Sequence, residues 1–489
     1  MKRYNKTKTK MCCILLLLLS NFAIHAEIKL PAIVSSNMVL QRNTTVKVWG
    51  WADKGEKITI TASWLSKLVT ITADNKGKWI TSLKTTNSKE PQTINLKSNV
   101  SNITLENVVF GEVWLCSGQS NMNFGLVGNP GQPVYRSVQT IANSRNKNLR
   151  LFTVNKNPSL EPTKKLHAKN EGWTYANPNT VPEFSAVAYF FGSQLQNILD
   201  VPVGMIHSSW GASPIQAWMS MEVLTKHQKL DFSNYEKYPN KTNTVLFNGM
   251  INPITSYTIK GALWYQGEAN RSEPQHYAKL MSMMVKEWRE KWNIGDFPFY
   301  YVQIAPFSSY GAINEYSNYK NAAFLREAQL KAMDIIPNTF MACTMDIGSK
   351  TSIHPPRKKE VADRLLNIAL HKTYSYKTID FSGPIFSSME AKDNGLLLKF
   401  KYAENGLYAY ESEKIEGFEI AGEDKVFYPA KAKIIDRRYI FISNKNVTNP
   451  KEGRYGWQNW IKGSLFDCSL LPAPSFRTDN WDGAVQVKQ

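Results

Sequence analysis

At 489 residues, with 43% hydrophobic and 12% aromatic side chains, the chain is long enough for two to four globular domains and too apolar for a disordered protein. Its formal charge of +19 is scattered, with no basic block and no zinc-finger, helix-turn-helix or RNA-recognition signature, which argues against nucleic acid and for a solvated basic surface that would tolerate acidic glycans. The five Cys, at 12, 13, 116, 343 and 468, have neither disulfide-framework nor metal-ligand spacing; no metal is expected, and Cys116 and Cys343, in apolar runs, are expected to be buried inert thiols.

In chain order, Lys2, Arg3, Lys6, Lys8 and Lys10 precede an apolar run over 11–19, and Ser20 to Ala26 are smaller and more polar. This is the order of a secretory signal peptide over 1–26, and nine apolar residues are too few to span a bilayer. Cleavage after Ala26 removes five basic and no acidic residues, lowering the charge from +19 to +14. An exported, periplasmic or extracellular protein with no integral membrane segment after cleavage is expected.

Residues 27–105 alternate β-branched or aromatic runs with turns such as Asp53-Lys54-Gly55, as in a small antiparallel β-domain. Over 106–375 short apolar strands (108–116, 203–208, 261–265, 299–304 and 339–344) alternate with amphipathic helices (184–199, 276–292, 322–333 and 359–370), which predicts an α/β domain with a mainly parallel sheet. The Asn-, Pro- and Lys-rich stretch 128–183 reads as a long excursion over that sheet, walling a cleft. Period-two alternation returns over 376–489, as at 395–401 and 438–442, giving a C-terminal β-rich region.

Polar residues able to do chemistry fall just after the predicted strands, where the ligand crevice of an open α/β sheet lies. Ser120 follows the first strand in Gly118-Gln119-Ser120-Asn121, Trp210-Gly211 the second, Gln266-Gly267-Glu268 the third, and Asp346 the last, with His354 shortly beyond. A serine nucleophile needs a base within reach and donors for an oxyanion. Among seven His, His354 in Ile353-His354-Pro355 is the candidate base, because it sits in a loop beyond a strand end rather than on a helix or inside a strand.

With these motifs in place, the sequence resembles the sialate O-acetylesterases, carbohydrate esterases of the SGNH hydrolase superfamily. The resemblance runs from Ser36-Asn37-Met38-Val39-Leu40-Gln41-Arg42, through 111–122, 210–218, Trp264-Tyr265-Gln266-Gly267-Glu268-Ala269-Asn270 and Ile353-His354-Pro355, to 471–479. It implies a flavodoxin-like three-layer SGNH hydrolase domain and an O-acetylated sugar or glycan as substrate, without a cofactor. Sialic acid esters come first, with acetylated plant-wall polysaccharide as an alternative. It further implies Ser120 as nucleophile, His354 as general base, and an oxyanion hole from the Gly211 N–H and a side-chain amide, Gln266 before Asn270.

The sequence departs from the family in one place. An Asp usually stands two or three residues before the catalytic His, where this chain has Thr351 and Ser352. Three arrangements answer this: Glu268 or Asp346 supplies the third triad member, the enzyme runs as a Ser-His dyad, or the chain is a catalytically impaired carbohydrate-binding homologue.

Overall fold

The computed structural model describes residues 27–169, 172–309, 321–410 and 414–481, so the expected signal segment 1–26 lies outside the described residues. One strand, Asn102–Gly118, organises the fold. Its first part pairs antiparallel with Gln92–Lys97, its middle parallel with Val39–Gln41, and its last part lies between Val203–Ser209 and Gly261–Tyr265. The expected domain boundary near 105 therefore falls inside a single continuous strand.

From edge to edge the central sheet runs Thr339–Ala342, Phe299–Val302, Gly261–Tyr265, Asn102–Gly118, Val203–Ser209, Asn146–Thr153 and Thr174–Ala176, parallel except for the last strand. Without the two outermost strands from the 128–183 stretch, the order is the flavodoxin-like 2-1-3-4-5. The excursion expected over the sheet is thus partly built into it. In Asn146–Thr153 only Leu149 to Phe152 are buried, so its apolar run was too short to stand out from polar surroundings.

Because successive strand residues face opposite sides, the central strand feeds two cores. Val113 and Leu115 join Tyr277, Leu280, Met284 and Leu325, from helices Pro274–Trp292 and Asn321–Ile335. Trp114 and Cys116 join Phe191, Leu195, Leu365 and Ile368, from helices Ala186–Leu199 and Lys358–Lys372. The result is three layers, with the carboxyl ends of the parallel strands gathered at one rim.

Several of the sequence signatures are scaffolding. Gln41 donates to Glu112 at 3.2 Å and accepts from the Val113 N–H at 2.9 Å, while Arg42 pairs with Glu112 at 2.6 Å, fastening the N-terminal β-region to the central strand. Near the other end, the Arg454–Asp479 pair is fully buried at 2.5 Å, and Arg477 grips Glu327 on helix Asn321–Ile335 through two bonds of 3.0 and 3.1 Å. The C-terminal β-region, with sheets containing Gly395–Lys401 and Phe418–Ala421, is thereby bolted to the α/β layer.

Candidate active site

The turn after the central strand is possible only with glycine at 118. Its φ is +137°, and a Cβ there would sit 2.2 Å from the Tyr265 carbonyl oxygen. The chain then enters the short helix Ser120–Asn123. The N–H groups of Met122 and Asn123 turn back to the Gln119 carbonyl at 3.0 and 2.9 Å and close this turn.

Ser120 is half-buried, and its two neighbours, Gln119 and Asn121, are 2% and 1% exposed. Both work as ties. Gln119 Oε1 accepts from the N–H groups of Gly267 and Ala269 at 3.3 and 3.2 Å, fixing the loop after Gly261–Tyr265. Asn121 donates to Glu268 Oε1 at 2.6 Å and to the Ile353 carbonyl at 3.1 Å, and accepts from Lys358 Nζ. The loop that carries His354 is thus fastened to the residue following Ser120. Gly211 comes up from the other side, where a Cβ would lie 3.5 Å from Ser120 Cβ. Loops from three other strand ends therefore converge on the Ser120 turn.

The His354 ring packs 5.2 Å from that of Phe124, centroid to centroid. Its Nδ1 lies 3.0 Å from Gln132 Oε1, and its Nε2 is buried with no hydrogen-bond partner among the described residues. Burial, helped by the nearby Lys358 ammonium, pushes the His354 pKa down to about 4, so the ring is a neutral base across the physiological range.

Beneath the turn, Lys358 and Glu268 are both buried and share Asn121. Burial presses each toward its neutral form: the Lys358 pKa falls to about 7 although Glu268 opposes the fall, and the Glu268 carboxyl is raised. Lys358 Nζ also lies 4.9 Å from the Phe124 ring centroid, completing the floor.

Neither carboxylate considered as a third triad member touches His354. Asp346 is held by Arg364 through bonds of 2.8 and 2.7 Å, and Glu268 is held by Asn121. Ser352 Oγ bonds the main chain of His354, accepting from its N–H at 3.1 Å and donating to its carbonyl at 3.2 Å, so it shapes the loop and not the ring. The contact that sequence reasoning missed is Gln132. It lies 222 residues from His354 in an excursion whose composition signals only turns.

The two amides expected for the oxyanion differ in their commitments. Gln266 is fully buried, and its Nε2 donates to the Ser213 carbonyl at 3.1 Å and to Asn270 Oδ1 at 2.7 Å while its Oε1 accepts from Tyr277 at 2.8 Å. Both amide hydrogens are engaged, and Gln266 braces the wall. Asn270 accepts at Oδ1 from Gln266 and from the Ile215 N–H, but among the described residues its Nδ2 has one partner, Gln216 Oε1 at 2.8 Å, leaving a second hydrogen uncommitted there.

Beside the turn opens a polar cavity of about 650 Å³, lined by Asn123, Asn155, Lys156, His167, His207 and Ser209 among others. His207 is fully buried and bonds Ser209 Oγ at 2.5 Å; burial pushes its pKa down to about 3, so it is a neutral lining group. Cys116 and Cys343 are buried free thiols, with burial raising the pKa of each and taking Cys343 to about 12. Among the described residues no helix is long and apolar enough to cross a membrane.

Comparison with known proteins agrees with this architecture. The model of a family described as carbohydrate esterase, sialic acid-specific acetylesterase, matches residues 110–365. A solved carbohydrate acetylesterase from Xanthomonas citri is 32% identical, with a TM-score of 0.85 over 93% of this chain and 100% of its own. The sialate O-acetylesterases of Homo sapiens and Rattus norvegicus are 27% and 26% identical, each over 91% of this chain and over 91% and 93% of their own lengths. The fold and these likenesses make the protein an esterase. The chain belongs to the carbohydrate esterase family of sialic acid-specific acetylesterases.

Proposed function

We propose that the protein is an exported esterase that removes O-acetyl groups from sugars, sialic acid esters first, through a Ser120 acyl-enzyme. The observation that carries the reading is the pair of ties flanking Ser120: Gln119 to Gly267 and Ala269, and Asn121 to Ile353, which hold an attacking hydroxyl among the loops of the base and of the oxyanion donors. Ser120 Oγ attacks the acetyl carbonyl, and His354 Nε2 takes its proton. The oxyanion is held by the N–H groups of Ser120 and Gly211 and by the spare hydrogen of Asn270 Nδ2. As the bond to the sugar oxygen breaks, His354 gives that oxygen the proton and frees the sugar hydroxyl, and it then activates the water that releases acetate and restores the Ser120 hydroxyl. The polar cavity beside the turn receives the sugar.

Export rests on the 1–26 sequence pattern. Acetate release from O-acetylated sialic acids and from acetylated xylans, by the wild type and by Ser120→Ala, tests the whole reading. Ser120-dependent release from the sialic acid esters supports it, and preference for xylan redirects the substrate to plant-wall polysaccharide. Binding without Ser120-dependent release from either class would leave a carbohydrate-binding homologue.

A further inference from the structure

We propose that Gln132 is the positioning residue of His354, standing where a triad carboxylate would stand. The inference rests on the esterase reading above but concerns a residue with no part in that reading. Gln132 Oε1 lies 3.0 Å from His354 Nδ1. The side chains that could compete for the ring are engaged: Asp346 with Arg364, Glu268 with Asn121, and Ser352 with the His354 main chain.

Gln132 is itself firmly held. It exchanges two main-chain bonds of 2.9 Å with Asn129 across a tight turn, in which Gly131 takes φ +71°. Three residues on, the Tyr135 N–H donates to the Pro356 carbonyl at 2.9 Å, so the segment bearing Gln132 and the loop bearing His354 are stitched together just beyond the ring contact.

A carboxamide oxygen accepting from Nδ1–H leaves the Nε2 lone pair free for the Ser120 proton, which is the tautomer a serine esterase needs. The substitution has two consequences. Gln132 brings no negative charge to stabilise the imidazolium formed during attack, and any positive charge on the nearby Lys358 disfavours that imidazolium further. A carboxamide can also turn over and donate to Nδ1, which would put the proton on Nε2 and silence the base, whereas a carboxylate only accepts. Gln132→Glu is therefore predicted to be a better enzyme than the wild type.

The test compares p-nitrophenyl acetate hydrolysis by wild type, Gln132→Ala and Gln132→Glu across pH, together with nitrogen chemical shifts of the His354 ring. Gln132→Ala is expected to lower kcat on the order of 10-fold or more with KM within about 2-fold, as befits loss of base orientation. Gln132→Glu is expected to raise kcat above wild type and to move the acid limb of the profile to higher pH, because a carboxylate favours the charged ring. The shifts should show a proton on Nδ1 in the wild type and a mixture of tautomers in Gln132→Ala. An active wild type whose kcat, acid limb and tautomer are all unchanged in Gln132→Ala would overturn the assignment. Absence of Ser120-dependent turnover in the wild type would instead sink the esterase reading, and the ring shifts would still decide whether Gln132 sets the tautomer.

Discussion

Asn121→Ala should be among the most damaging single changes near the site that leave Ser120 and His354 untouched. The amide bonds Glu268, Lys358 and the Ile353 carbonyl, and it is 1% exposed. Truncation leaves a carboxyl and an amine buried without their shared partner, and Glu268 Oε2 is already without one. A buried polar group left unpaired costs about 1–3 kcal/mol and a broken buried charge pair about 3–5 kcal/mol. Because either group can shed its charge, the lower part of that range applies, about 3 kcal/mol of a total stability of roughly 5–15 kcal/mol. The same truncation frees the His354 loop from the Ser120 turn, and a displacement of about 1 Å costs on the order of 100-fold in rate. Urea unfolding followed by Trp fluorescence, with kcat measured well below the midpoint, reads both effects. Repeating Asn121→Ala in a Glu268→Gln background should reduce its cost by about 1 kcal/mol, since the orphaned group is then neutral. A stability loss under about 1 kcal/mol with kcat unchanged would refute the idea that Asn121 couples base loop to nucleophile turn.

The pH profile follows from His354. Its pKa is depressed to about 4, so the neutral base persists well below the ordinary 6.5 and kcat/KM should fall only as pH drops through about 4; an acid limb at or above 6.5 contradicts this. Lys358→Met should move that limb upward yet leave it below 6.5, because burial is the larger cause of the depression. At these two imidazoles, His354 and His207 (the latter at about 3), the unfolded chain holds protons that the folded one lacks below 6.5, so their contribution to stability should decline as pH falls from 6.5 toward those values, as the changing gap in urea midpoint between wild type and His354→Asn would report. Asp346→Asn should cost about 3 kcal/mol by removing the carboxylate that balances the buried Arg364 charge, while the Arg364 bond to the Cys343 carbonyl remains, with kcat of the folded enzyme within about 3-fold of wild type. A large kcat loss at unchanged stability would make Asp346 the missing triad member.

Legibility in the sequence followed the physics of each element. Strands buried on both faces, such as Gly261–Tyr265 and Val203–Ser209, announce themselves as apolar runs, and the polar residues after them mark the rim. The helices beginning at Ala186 and Pro274 differ from expectation by two residues each, since periodicity does not see a cap such as Ser185, whose Oγ accepts from the Ala188 N–H at 3.2 Å. Hydrogen-bond allocation was not legible. Gln266 and Asn270 are both amides near one strand end, and only the positions of Ser213, Tyr277 and Gln216 show which keeps a free hydrogen. The Gln132–His354 contact joins loops distant in sequence through a single polar pair, and pairs of that kind leave no periodic trace.

If Ser120 carries the acyl group, rapid acid quenching during p-nitrophenyl acetate turnover will trap it there. Peptide mass spectrometry of the quenched enzyme should find one acetyl group on the peptide containing Ser120, absent from Ser120→Ala, which should also lose turnover. Undiminished turnover by Ser120→Ala, or an acetyl group on another residue that turns over at the catalytic rate, would contradict the account.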